Sequence, residues 1–342
     1  MSSLLRPLLR AFGAVIGLSL LAPAAQAADN LVEDGDFVRG VQAWSLFQNP
    51  PTTSVTTRAV SAGGSATGKA LRIEVAVRGR PEMYRATLEQ RLAGSVAQGQ
   101  IIELAFRARS VGGDFQIGAG LRDRKNATAV FFSPALGAEW RDYRWRVPAR
   151  IDIAEGDMTF VFHLASGSGA FEIHGVSVRL APLTDYPPEG ASFLFDGRFE
   201  QQGFANWEIL EVGENRAEPS FIAFGQDSRQ TALRLAVRPM EGARPWDLQL
   251  RQVIPYPVFA GDRHRLGFWA RAESRVSMTV VVGGGGSNFF TERFMPGPEW
   301  RRFEFAVPVP RDLERGRARL EFHLAQQPGT VEFADVQLLR GR

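Results

Sequence analysis

The 342-residue chain holds few side chains able to do covalent chemistry. It has no Cys, which excludes a thiolate nucleophile, a thiolate zinc site and a disulfide framework. The four His (His163, His174, His264, His323) are too scattered to suggest a metal cluster. No G-x-S-x-G elbow, H-E-x-x-H pair or dinucleotide fingerprint occurs. The glycine run Gly283–Gly286 is followed by neither Lys-Ser/Thr nor a helical pattern, so it reads as a turn or close-packed strand and not a phosphate loop. A glycosidase would need two acids converging at a set separation, which linear spacing does not define. What remains is non-covalent chemistry: flat rings beside amide, imidazole, carboxylate and guanidinium groups. Rings are plentiful, with 25 Phe, 7 Trp and 4 Tyr, and the cations are nearly all Arg, Lys69 and Lys125 being the only Lys.

The elements that must position these groups have a period of two. Leu71, Ile73, Val75 and Val77 alternate with Arg72, Glu74, Ala76 and Arg78. Leu104/Phe106/Ala108, Tyr143/Trp145/Val147 and Phe160/Phe162/Leu164 alternate likewise. Such alternation marks antiparallel strands with one face buried and one wet. No helical periodicity follows the first 27 residues. Strands separated by Gly- or Pro-containing breaks predict a sandwich or jelly roll.

The chain is also written twice. Asp34-Gly35-Asp36-Phe37 returns as Asp196-Gly197-Arg198-Phe199, 162 residues on. Ala70–Val75 (ALRIEV) returns as Ala232–Val237 (ALRLAV), and Leu104–Arg109 (LAFRAR) as Leu266–Arg271 (LGFWAR), at the same offset of 162. Glu139–Pro148 then matches Glu299–Pro308, and Phe162–Ala165 matches Phe322–Ala325, at an offset of 160. Each copy is large enough to bury its own core. The expected organisation is therefore all-β, two tandem antiparallel β-jelly-roll sandwiches over residues 28–181 and 191–342, joined by a stiff Pro-rich linker at 182–190.

The order of motifs carries a resemblance. D-G-x-F is followed by a Trp (Trp44, Trp207), then A-L-R, then a strand ending in Gln (Gln90, Gln252). After these come L-x-F-x-A-R, the E-W-containing strand ending V-P, and a last strand of type E-(apolar)-x-x-V. This order resembles carbohydrate-binding modules of the family 4/9 and 22 type, galactose-binding-like jelly rolls, in tandem over nearly all of the chain beyond residue 27. The resemblance implies a structural calcium. Its carboxylates would be Glu200 and Asp335 in the second copy, whereas Val38 and Gly175 stand at those positions in the first.

The resemblance further implies a saccharide lying across one sheet. Its contacts would come from residues off the core register. In the second copy these are Trp269, Glu321 and His323, with Trp246 and Gln249 at the strand carrying Gln252, and Asn288 beside Phe289 and Phe290. In the first they are Tyr84, Arg107 and His163, with Phe131 and Phe132 nearby. Parity places Trp246 with Leu248 and Leu250, which leaves a core position open for it. Trp44, Trp207, Trp140 and Trp300 read as structural.

Residues 1–27 read as a secretory signal peptide: Arg6 and Arg10, an apolar run from Ala11 to Ala22, and the small-x-small site Ala25-Gln26-Ala27. The run is too short to span a bilayer. Without its two Arg the net charge falls from +3 to +1, and no clustered basic face suggests nucleic acid. The reading is a secreted or periplasmic, non-catalytic polysaccharide-binding protein with no membrane span after cleavage. A structural or adaptor subunit of an envelope or polysaccharide-export assembly, binding protein partners, is the alternative, and a hydrolase or lyase the third.

Overall fold

The computed structural model describes residues 29–341 except 63–67, 80–81, 114, 201–205, 226–229 and 285. The expected signal peptide lies outside the described residues. The first half contains β1 (Ser45–Gln48), β2 (Thr53–Ser61), β3 (Lys69–Val77), β4 (Ala86–Arg91), β5 (Ile101–Val111), β6 (Phe115–Gln116), β7 (Gly118–Arg122), β8 (Thr128–Phe132), β9 (Ala135–Leu136), β10 (Arg141–Pro148), β11 (Thr159–His163) and β12 (Gly169–Leu180). The second contains β13 (Glu208–Glu211), β14 (Arg216–Ala223), β15 (Thr231–Arg238), β16 (Leu248–Ile254), β17 (Arg263–Ala272), β18 (Met278–Gly284), β19 (Ser287–Phe294), β20 (Arg301–Pro308), β21 (Ala318–His323) and β22 (Gly329–Arg340).

Each half is a jelly-roll sandwich of two antiparallel five-stranded sheets. The orders are β1-β4-β11-β7-β8 against β10-β5-β12-β3-β2, and β13-β16-β21-β18-β19 against β14-β15-β22-β17-β20. The alternation read from sequence is the reason. Leu88, Phe160 and Phe162 of one sheet meet Phe106, Phe171 and Ile173 of the other in one core. The second half repeats this with Leu250, Leu320 and Phe322 against Phe268, Leu235 and Phe333. Phe162 packs edge-on to Phe106 at 5.2 Å, and Phe322 edge-on to Phe268 at 5.0 Å. Each such ring buries apolar area worth roughly 1.5–3 kcal/mol.

The duplicated motifs turn out to be joints of this frame. The D-G-x-F turn docks on the last strand: the Val176 amide donates to the Gly35 carbonyl at 3.0 Å, and Val336 to Gly197 at 2.8 Å. A β-carbon on Gly35 would stand 2.0 Å from the Val176 carbonyl oxygen, and one on Gly197 1.8 Å from that of Val336. Only glycine fits. The Asp of the motif accepts the amide four residues on, at Val38 (2.9 Å) and Glu200 (2.8 Å). Its Phe packs on the Trp that follows, Phe37 stacked on Trp44 at 5.3 Å and Phe199 tilted against Trp207 at 5.4 Å.

Gln90 and Gln252 act as a side-chain peptide group. Gln90 accepts the Glu33 amide at 2.7 Å and donates to its carbonyl at 2.8 Å; Gln252 does the same to Phe195 at 2.6 and 2.8 Å. On the other sheet the Arg of A-L-R and the Arg of L-x-F-x-A-R flank the Glu of the last strand. Glu172 sits opposite Arg72 and Arg109, and Glu332 opposite Arg234 and Arg271. Both carboxylates are buried within their pairs, with Arg109 Nη2 at 2.8 Å and Arg234 Nε at 2.7 Å. A one-residue slip of β12 or β22 would drive that carboxylate into the core, so the triad pins the register. The E-W Trp lies over one arm, Trp140 at 5.0 Å from Arg109 and Trp300 at 4.9 Å from Arg271.

The segment between the halves forms no strand. Tyr186 lies 3.8 Å from the Arg340 guanidinium, and Arg315 donates to the Thr184 carbonyl at 2.6 Å. Arg146 of the first half stands over the Phe195 ring of the second at 5.2 Å. Among the described residues no helix is long and apolar enough to cross a membrane.

Two outcomes follow from these joints. Gly197→Ala should lower stability by about 3 kcal/mol or more, because the clash is with backbone, whereas Gly137→Ala, with open space around it, should stay within about 0.5 kcal/mol; denaturant melts compare them. The second concerns pH. His264 is buried beside Phe193, neither ring nitrogen has a hydrogen-bond partner among the described residues, and burial pushes its pKa below the ordinary histidine value. Burial lowers His163 and His174 as well. The folded state therefore takes up fewer protons than the unfolded chain. The full stability is present above about pH 6.5 and is lost as pH falls through and below that value. Calorimetry should show Tm falling from pH 7.5 to pH 5, with His264→Phe reducing the slope.

Candidate functional site

A sheet of the sandwich buries one face, so its other face must be covered or used. In the β13-β16-β21-β18-β19 sheet the off-core side chains fall into rows across neighbouring strands. One row runs Leu210, Gln249, His323, Thr279, Arg293, and the next runs Glu208, Arg251, Glu321, Val281, Thr291. The His323, Thr279, Arg293, Val281 and Thr291 members floor a groove of about 590 Å³ that Trp246, Asn288 and Gln326 also line. The matching face of the first half has rows Phe47, Thr87, His163, Gly118 and Ser45, Glu89, Val161, Gly120, Phe131. Part of it, Phe47, Thr87, His163, Glu89, Val161 and Phe131, floors a groove of about 430 Å³ that Tyr84 and Arg122 also line.

Trp246 stands at the rim of the second groove, 47% exposed. Parity with Leu248 left a core position open; the structure excludes it, because Pro245–Asp247 form a single 3-10 turn that resets the phase. Asp247 anchors that turn by accepting the Arg244 amide at 2.9 Å, and Arg244 lies over the indole at 5.4 Å. Tyr84 occupies the same place in the first half, in the turn Met83–Arg85, 64% exposed with its hydroxyl donating to Glu82 at 2.9 Å.

Beneath Trp246 the floor is polar and tightly wired. Glu321 is buried between His323, whose Nε2 lies 3.2 Å away, and Arg319. Burial pushes the Glu321 carboxyl up, but the His323 hydrogen bond and the Arg319 and Arg251 charges outweigh it and hold it below the ordinary glutamate value. It is thus kept as an ionised acceptor, unsuited to donating a proton near neutrality. Gln249 donates to the Trp246 carbonyl at 2.8 Å, while its buried Oε1 has no hydrogen-bond partner among the described residues.

The first groove is floored differently. Gly118 and Gly120 leave room for the Phe131 ring: a β-carbon on either would come within 3 Å of it. That ring also packs against His163, at 5.0 Å between centroids. Glu89 pairs with Arg122 at 2.7 Å and accepts the Thr87 hydroxyl at 2.8 Å.

Of the side chains singled out in the sequence, Trp246, Gln249, Asn288, Glu321 and His323 share one sheet face, and Tyr84 and His163 share the other groove. Trp269 and Arg107 do not join them. Both point off the core, but from β17 and β5 of the opposite sheets. Trp269 packs half-buried against Phe224 at 6.1 Å, within a ring cluster that includes Trp300. Arg107 lies by Trp140 and opposite His174. Alternation tells inward from outward but not which sheet. Phe47, Glu89, Arg122 and Arg293 escaped sequence reading, although the Gly118-Ala119-Gly120 spacing was a sign that something flat lies on that strand.

The residues around Glu200 and Asp335 do not fit the calcium that the resemblance implied. Both carboxylates line one hollow of about 380 Å³. Asp335, however, accepts from Gln337 at 2.6 Å and is flanked by Arg198 at 3.5 Å and Arg302 at 3.4 Å. The guanidinium groups already supply the countercharge, and a divalent ion there would face two cations. Among the described residues no three His, Cys, Asp or Glu gather as a metal site.

Against known proteins, no family model matches the chain, and no curated protein matches it. Solved structures similar to it include a CBM4 carbohydrate-binding module, 17% identical with TM-score 0.34, covering 46% of this chain and 97% of that one. Another is the N-terminal CBM22-1–CBM22-2 tandem domain of Paenibacillus barcinonensis Xyn10C, 15% identical with TM-score 0.34, covering 94% and 100%. A third is an arabinose-bound GH51 α-L-arabinofuranosidase, 9% identical with TM-score 0.39, covering 46% of this chain and 27% of that one. At these identities and scores the likeness bears on neither ligand nor activity.

Proposed function

We propose that the chain is an exported, non-catalytic carbohydrate-binding protein that holds a polysaccharide in the two sheet-face grooves. One observation carries this reading. On the same sheet face each half carries a groove with an exposed ring at its rim, over a floor of largely buried, paired polar groups. Sugars present apolar ring faces and equatorial hydroxyls, and an amphipathic ring beside pre-paired acceptors and donors suits both. The likeness of the motif order to carbohydrate-binding modules points the same way. The carboxylate beneath each groove is held in ion pairs, which favours binding of hydroxyls over proton transfer. Each groove alone would bind weakly, at about −4 to −7 kcal/mol. Two grooves on one polymer would gain avidity.

Affinity gel electrophoresis against a panel of neutral and acidic polysaccharides tests this. At least one polymer should retard the chain. Tyr84→Ala and Trp246→Ala should each weaken retardation about 5- to 30-fold, since a stacked ring contributes about 1–2 kcal/mol. Both rings stand at the rim outside the core, so both variants should stay folded, with stability lowered by no more than about 1–2 kcal/mol. If no polymer retards the chain while pull-downs recover a protein partner, the reading is wrong and the adaptor alternative stands.

A further inference from the structure

The two grooves share a frame but not a charge pattern. In the first, Glu89 and Arg122 neutralise each other across the floor at 2.7 Å. In the second, no acidic side chain belongs to the lining, and Arg293 and His323 do. The acid beneath, Glu321, is buried and held between Arg319 and His323. Arg251, in the same row, is taken up by Glu208 at 3.0 Å. Arg293 is exposed and has no ion-pair partner among the described residues. Its sequence neighbour Glu292 sits opposite Val280, in core register, and so projects from the other side of the sheet. The groove therefore presents an uncompensated guanidinium.

Its position suits a ligand. Arg293 ends the row Gln249–His323–Thr279–Arg293, which spans three strand spacings, about 14 Å. At the other end Gln249 donates to the Trp246 carbonyl at 2.8 Å and so holds the turn that carries the exposed indole. A ring stacked on Trp246 would lie over His323 and Thr279 of the groove lining while a group further along reaches Arg293. Guanidinium matches a carboxylate with two parallel hydrogen bonds.

Resting on the carbohydrate reading above, we propose that the second groove selects a saccharide bearing a carboxylate, of the uronic acid class, with Arg293 as its partner, and that the first groove takes uncharged sugar rings on Tyr84 and Phe131.

The test uses the full chain with polygalacturonate, alginate and hyaluronan, each in native and carboxyl-reduced form, in affinity gels and titration calorimetry. At least one native polymer should bind more tightly than its reduced form. Arg293→Gln should weaken that binding about ten-fold or more and abolish the preference for native over reduced polymer, while Arg293→Lys restores part of it. Equal affinity for native and reduced polymers, binding confined to neutral polymers, or an Arg293→Gln chain with the native preference intact would overturn this inference and leave the carbohydrate reading standing. Failure of every polymer of the broader panel to bind would remove the carbohydrate reading itself.

Discussion

A five-stranded sheet with strictly alternating side chains can bury only one face, and the rest of this protein depends on that constraint. Phe160, Phe162 and Leu88 commit one side of the β1-β4-β11-β7-β8 sheet to the core, so Thr87, Glu89, Val161 and His163 must face away from it. The same commitment by Leu250, Leu320 and Phe322 sends Gln249, Arg251, Glu321 and His323 outward. Polar groups on such a face need partners, which the cross-strand ion pairs supply. The grooves are the parts of that face that neighbouring chain leaves uncovered.

Duplication has preserved the frame and released the grooves. The repeated motifs account for joints: the glycine under the Val carbonyl, the glutamine posing as a peptide group, the Arg-Glu-Arg triad on the opposite sheet. The groove positions have diverged. Thr87 corresponds to Gln249, Glu89 to Arg251, Val161 to Glu321, and Phe131 to Thr291 by their places in the sheets. His163 and His323 are kept, but one packs on a phenyl ring and the other on a carboxylate. An aromatic floor and a polar, cationic floor have thus been built on one scaffold.

Much of the fold was legible because period-two alternation and a 150-residue repeat are local or near-local signals. The sites were legible only in part. Trp269 reads as outward and is outward, but on the sheet whose exterior is filled by Phe224 and Trp300. Trp246 is misphased by a turn that parity cannot see. Asp335 reads as a hard ligand until Arg198 and Arg302, distant in sequence, are placed beside it. Arg293 carries no signal at all in a chain with so many arginines; its place in the groove lining distinguishes it.

Hydroxyl-radical footprinting of the full chain, with and without a polysaccharide that retards it, tests the assignment of the binding face most directly. Protection should fall on Tyr84, Phe131 and Trp246, with Trp269, Trp140 and Trp300 unchanged. Protection of those three instead, with the groove rings still reactive, would place the ligand on the opposite sheets and contradict the account.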